Sequence, residues 1–185
     1  INNEMKVLMV CLGNICRSPL AEGILKHKCA QNGLDWYVDS AGTGKWHLGT
    51  APDKRSVQIA TKFGIDISNQ RARSVRSTDY EEFDLIFAMD ISNYKDLLSW
   101  ALDKTEENKV KLILNELYPN ENRSVPDPYF DDSGFQTVFE MLDNLSEMVV
   151  PLPHKVIYCY GEYQTGFAKY PWIEFHEGLP KSEMF

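Results

Sequence analysis

Cys11 and Arg17 are separated by Leu12-Gly13-Asn14-Ile15-Cys16, and Ser18-Pro19 follows directly. A thiol and a guanidinium at that spacing suit one chemistry, the transfer of a phosphoryl group. The chain from Leu12 to Ser18 must then curl so that its backbone N–H groups point inward, forming a bowl of donors for a dianionic oxyanion. Gly13 lets the backbone curl where a side chain would interfere. Arg17 can fork two hydrogen bonds onto two of the oxygens. Cys11, at the floor, is surrounded by donors and a fixed cation, which favour the thiolate. A thiolate beneath phosphorus is set for in-line attack and a covalent phosphocysteine. Chance alone can supply Cys-x5-Arg, so the weight of the pattern comes from the elements on either side of it.

Those elements fit. Met5–Val10 is an apolar run that reads as a buried strand, and Ser18–Asn32 reads as a helix with Leu20, Ile24, Leu25 and Cys29 as its apolar stripe and Gly33 as its stop. The helix start adds unpaired N–H groups and a partial positive charge to the bowl. Ser18 has two compatible readings: a helix N-cap before Pro19 at the first helical position, or a hydroxyl donated to the sulfur. Further strands are expected at 36–40, 84–89 and 110–114. Further helices are expected from Pro52 to Gly64, from Asp90 to Leu102 and from Phe135 to Val149, the last opened by a Ser133/Gln136 capping box. A polar turn through Asn108 separates the third helix from the last strand. This alternation predicts an α/β fold: a three-layer, four-stranded parallel sheet with helices on both faces and the phosphate-binding loop after strand 1. In such sheets ligands bind outside the carboxyl ends of the strands, where Cys11 lies.

An ester also needs a proton for its leaving oxygen, and the thiophosphate then needs an activated water. One carboxyl can serve both steps. Asp127, in Val125-Pro126-Asp127-Pro128-Tyr129, is the candidate, because two prolines hold it extended; taken alone, the segment also reads as a rigid surface turn. Asp90 is a rival, read mainly as an N-cap, and Asp131 and Asp132 read as charges favourable at the last helix's start. Trp46, Tyr129 and Phe130 are candidate cleft walls, with Leu12 and Ile15 behind them. Trp46 could instead anchor its loop in the core. Cys16 reads either as a small buried hydrophobe or as a redox partner that condenses with oxidised Cys11. Cys29 reads as core, and Arg71, Arg73 and Arg76 as a solvated face.

Cys11-Leu12-Gly13-Asn14-Ile15-Cys16-Arg17-Ser18-Pro19 resembles the signature of the low-molecular-weight protein tyrosine phosphatases. The large tyrosine phosphatases have a His before the cysteine and a late loop; here Val10 precedes it and the loop is N-terminal. Asp127-Pro128-Tyr129 is similar to the family's general-acid loop. Asp39-Ser40-Ala41-Gly42-Thr43 resembles the second-strand end whose serine bonds the loop asparagine, so the resemblance implies that Asn14, Ser18 and Ser40 brace the bowl. Two departures stand out. Gln70 occupies the place of a histidine common in this brace, and Phe130 replaces a frequent second tyrosine. The implied activity is hydrolysis of protein phosphotyrosine and small aryl phosphates, with inorganic phosphate as product and no cofactor.

Three alternatives compete. An arsenate reductase on this scaffold would need further thiols after the third strand, and residues 79–110 contain none. A phosphoarginine phosphatase would favour a small polar residue at position 15, where Ile15 stands. A catalytically dead phosphopeptide-binding module is disfavoured by the joint presence of Cys11, Arg17 and Asp127.

The 185-residue chain, 43% hydrophobic and 25% charged, is ordinary for one soluble domain. Its formal charge of −8 argues against nucleic-acid binding, but not against an anionic substrate met by a local bowl of donors. The cysteines at 11, 16, 29 and 159 lack zinc or disulfide-framework spacing, and the histidines lack metal spacing. A nucleophilic thiol fits a reducing, cytoplasmic compartment. No run reaches the ~18–20 apolar residues of a membrane span. The N-terminus is polar, unlike a signal peptide, and lacks Met at position 1, consistent with a trimmed or incomplete chain. A monomer is expected. Residues 1–150 form the expected phosphatase domain. Residues 151–185, dense in aromatics, are a non-family extension: either packed on the domain or an alternative exon without stable structure, the second being favoured.

Overall fold

The computed structural model describes residues 4–150. The C-terminal extension, with Cys159, lies outside them. β1 (Lys6–Cys11) is central, because Val7, Leu8, Met9 and Val10 are buried on both faces as a parallel strand between two neighbours requires. It pairs with β2 (Tyr37–Gly42) on one side and β3 (Leu85–Ala88) on the other, and β3 pairs with β4 (Val110–Leu112). The order is β2-β1-β3-β4, all parallel. The fold is the expected four-stranded α/β sheet.

Side chains alternate across the strands. Leu8 and Val10 face one core with Ala41, Ile86, Ala88, Val110 and Leu112, closed by Leu97 of α4 (Ile91–Trp100) and by Tyr80 of the one-turn α3 (Asp79–Glu82). On β1 and β2 packs α1 (Arg17–Gln31), which contacts α2 (Lys54–Lys62) and α6 (Gly134–Val149). Phe63, just past α2, stacks on Phe139 of α6 with centroids 4.2 Å apart. Between α4 and β4 the expected polar turn is a short helix, α5 (Lys104–Lys109). Asp103 caps it by accepting the Glu106 N–H.

Two helix starts differ from expectation. α1 begins at Arg17, so Ser18 and Pro19 lie inside the first turn and Ser18 is not the N-cap. The Ser133/Gln136 capping box does not form: Ser133 donates to Asp131 Oδ1 at 2.7 Å and Gln136 reaches Glu140 at 2.6 Å. Asp131 competes successfully because it sits two residues before Ser133 and accepts both its N–H and its hydroxyl.

Candidate active site

Cys11 ends β1, and the chain then folds back against the end of β2. Gly42 makes that approach possible: a Cβ there would lie 2.8 Å from the Leu12 carbonyl oxygen. The left-handed residue of the loop is Asn14, at φ 53°, and not Gly13. At Gly13 the restriction comes from a neighbour, since a Cβ would stand 3.2 Å from the His47 ring.

An asparagine tolerates this conformation when its side chain is held. Here it is held from every side. Asn14 Nδ2 donates to Ser18 Oγ and Ser40 Oγ, each at 2.9 Å, and Asn14 Oδ1 accepts the Arg73 N–H at 2.9 Å. Ser18 Oγ, accepting from Asn14, has one proton to give, with Cys11 Sγ at 3.0 Å and the Ala41 carbonyl at 3.4 Å as its acceptors, while Ser40 Oγ donates to Glu22 Oε2 at 2.6 Å. The Asn14 backbone N–H adds a second donor to the sulfur at 3.3 Å. Gln70 takes no part in the brace; its amide donates to the Pro19 carbonyl at 3.2 Å, and the Arg73 N–H serves Asn14 instead.

Glu22 is 4% exposed and also accepts from Lys26 at 2.6 Å. Burial pushes its carboxyl above the ordinary range, against the pull of Lys26 and Ser40. The fold thus favours the neutral form. That stabilisation is complete below the ordinary Glu value and is lost as pH rises through the raised one. Glu22→Gln locks the uncharged state, so its melting temperature should gain on the parent's as pH rises across that interval. A gap that stays constant with pH would show that Lys26 already offsets the charge.

Arg17 is 3% exposed, and both terminal nitrogens of its guanidinium are engaged. Nη1 donates to Asp90 Oδ2 at 2.7 Å and to the Val125 carbonyl at 3.2 Å; Nη2 donates to Asp127 Oδ2 at 3.0 Å. Burial opposes its charge, but Cys11, Asp90 and Asp127 together outweigh that and hold its pKa above the usual arginine value. Asp90 does two jobs. Its Oδ1 caps α4 through the Asn93 N–H at 2.8 Å, and its Oδ2 orients Arg17. The sequence suggested only the first.

Cys11, Leu12, Gly13, Ile15, Cys16, Arg17, Trp46, His47, Asp127, Tyr129 and Phe130 line one cleft of about 180 Å³. The structure therefore brings Cys11, Arg17 and Asp127 together with all three expected aromatic walls. Trp46 is 74% exposed and Phe130 94%, so neither is a core anchor. His47 was not anticipated; nothing in its neighbours distinguishes it from an ordinary loop histidine. Cys16 is buried, and burial first, then the Asp53 carboxylate and the Cys11 sulfur, pushes its thiol up to about 12. Arg73 and Arg76 do not form a free basic face: Arg73 pairs with Asp39 and Asp79, and Arg76 with Asp79 and Glu82. Among the described residues no group of His, Cys, Asp and Glu is placed to hold a metal ion, and no helix is long and apolar enough to cross a membrane.

A loop at a helix start with a sulfur, a buried cation and a carboxylate around one cleft can bind and cleave a phosphate ester. The profile of the family described as low molecular weight phosphotyrosine protein phosphatase matches residues 6–155. The chain belongs to that family. It is accordingly a hydrolase. Low molecular weight phosphotyrosine protein phosphatase 2 of Drosophila melanogaster is 39% identical over 142 residues, 75% of this chain and 85% of that protein. A protein tyrosine phosphatase from Entamoeba histolytica, solved with Hepes in its active site, superposes with a TM-score of 0.73 at 36% identity, covering 78% of this chain and 94% of the other. An arginine phosphatase of Drosophila gives a TM-score of 0.73 at 38% identity, covering 78% and 95%.

Proposed function

We propose that this family member hydrolyses phosphotyrosine in proteins, and small aryl phosphates, through a phosphocysteine intermediate. The observation that carries the reading is the shared cleft, in which Cys11, Arg17 and Asp127 meet beneath apolar walls. The Cys11 sulfur attacks phosphorus while the ester P–O bond breaks. Arg17 turns its two terminal nitrogens from the carboxylates onto two phosphoryl oxygens, where charge builds in the transition state. Asp127 gives its proton to the departing phenolic oxygen. It then takes a proton from a water that attacks the phosphocysteine, releasing inorganic phosphate and restoring the thiolate. All of these groups belong to one chain, consistent with a monomer as the acting unit, and the thiolate suits a reducing, cytoplasmic setting.

A second reading has one observation in its favour, the likeness to an arginine phosphatase. Against it stands Ile15, an apolar side chain where a small polar residue would be expected, beside Trp46, Tyr129 and Phe130, whose flat faces suit an aromatic ring. Matched peptides bearing phosphotyrosine, phosphoserine or phosphoarginine, assayed with the parent and with Cys11→Ser, decide between them. Phosphotyrosine should turn over fastest, and only with Cys11 present. Faster release from phosphoarginine would reverse the assignment.

We also take Cys16 as the redox partner: its thiol displaces water from a Cys11 sulfenic acid to give a disulfide. Because the attacking form is the thiolate and Cys16 is held up to about 12, this closure should be slow near neutrality and speed up as pH rises. Peroxide-treated parent should regain activity with a dithiol, and Cys16→Ser should regain less. Equal recovery would remove Cys16 from this role.

A further inference from the structure

We infer that Arg55 is the positioning residue that holds the Asp127 loop against the phosphate-binding loop. The inference rests on the reading of Asp127 as proton donor. It starts from a continuous path of short contacts. The Asp53 N–H donates to the Ile15 carbonyl of the bowl at 2.8 Å. The Asp53 carboxylate accepts a fork from Arg55, Nε to Oδ1 at 2.9 Å and Nη2 to Oδ2 at 2.8 Å. Arg55 Nη2 donates its other proton to the Tyr129 carbonyl at 3.1 Å, and Nη1 donates to Asp132 at 2.5 Å. Arg55 Cζ lies over the Phe135 ring, 4.5 Å from its centre. The Tyr129 N–H then reaches Asp127 Oδ1 at 3.1 Å. One side chain thus joins the wall that carries the nucleophile to the wall that carries the acid.

The loop needs such a tie. Val125 and Pro128 are buried, but beyond them Phe130 is 94% exposed and Asp132 88%, so burial does little to fix the outer part of the loop. Arg17 Nη2 holds Asp127 at 3.0 Å, yet Arg17 must release it to bind the phosphoryl group. At that moment Tyr129 and Arg55 remain as the contacts that aim the acid. The tie uses the fork on one edge, two outward donors and the flat face together, which a lysine cannot reproduce. The Arg55 pairing also holds Asp53 below the usual carboxylate range, so the clamp stays charged at any working pH.

The test compares Arg55→Met, which keeps the stem but loses the donors, with Arg55→Lys. The reading is kcat/KM along a series of aryl phosphates of rising leaving-group basicity. Misaiming a proton donor should cost about tenfold with phenyl phosphate and less than about threefold with 2,4-dinitrophenyl phosphate. Inhibition by inorganic phosphate and the melting temperature should hold, and Arg55→Lys should recover part of the loss. Added to Asp127→Ala, Arg55→Met should cause no further dependence on the leaving group. Equal losses along the series, or an undiminished effect without Asp127, would overturn the clamp. If Asp127→Ala discriminates between leaving groups and Arg55→Met does not, only the clamp fails. If Asp127→Ala itself does not discriminate, the proton-donor reading fails and takes the clamp with it.

Discussion

Cys11→Ser should lower turnover by at least about 10⁴-fold while leaving phosphate binding intact or tighter. The two halves of this expectation have separate causes. Binding comes from the backbone bowl and from Arg17, and neither depends on the sulfur. The two donors that face Cys11 Sγ, the Asn14 N–H and the Ser18 hydroxyl, would face the new oxygen at similar distances. Turnover fails because a serine oxygen is a far weaker nucleophile toward phosphorus than sulfur, and a poorer leaving group when water attacks. Tighter binding follows from the proposed mechanism, in which the attacking sulfur is an anion beneath a dianion and serine removes that repulsion. Calorimetric titration with phosphate and rapid-quench detection of a phosphoenzyme supply the readings. More than about 1% residual turnover, or a phosphoenzyme that still forms, would remove Cys11 as nucleophile.

What the sequence made legible was whatever is local. A hydrophobic strand, a loop and a helix in immediate succession carry Cys11 and Arg17, so their meeting needs no long-range packing to be foreseen. The parallel sheet follows from the alternation of elements. The site's second half was legible only as candidates, because Asp127 and Trp46 reach the cleft through tertiary packing. Roles shared between two partners were the least visible. Asp90 reads as an N-cap from its neighbours, and only the fold shows that its other oxygen holds Arg17 across 73 positions. Arg55 carries no mark in the sequence, and only the fold brings Phe135 of the last helix beneath it. Ser18 shows the converse: its position suggested a cap, but α1 starts one residue earlier, and the hydroxyl is left for the sulfur. Local chemistry misled at Ser133, where a nearer carboxylate outcompeted the capping geometry.

Asp127→Ala should lower kcat/KM for phenyl phosphate or a phosphotyrosine peptide by about 10²–10³-fold, within the range of general-acid catalysis. For an ester whose leaving group needs no proton, the loss should be far smaller. The quotient kcat/KM reports the first P–O cleavage, so the difference between the two substrates isolates proton donation. The turnover number behaves otherwise. Asp127 also activates the water that hydrolyses the phosphocysteine, so kcat should fall for both esters, and a burst of the phenol should precede a slow steady rate. The ion pair with Arg17 adds a sign that a merely structural residue would not produce. In the parent, Arg17 Nη2 is shared with Asp127 at 3.0 Å, and a phosphate must displace that carboxylate. Without it, Nη2 is free while Nη1 keeps Asp90, and the anionic charge beside the bowl is one less, so phosphate should bind more tightly even as catalysis is lost. Equal losses for the two esters, accompanied by weaker phosphate binding, would mean that Asp127 shapes the bowl and does not donate the proton. Asp90 would then become the group to test, since it is the other carboxylate on Arg17.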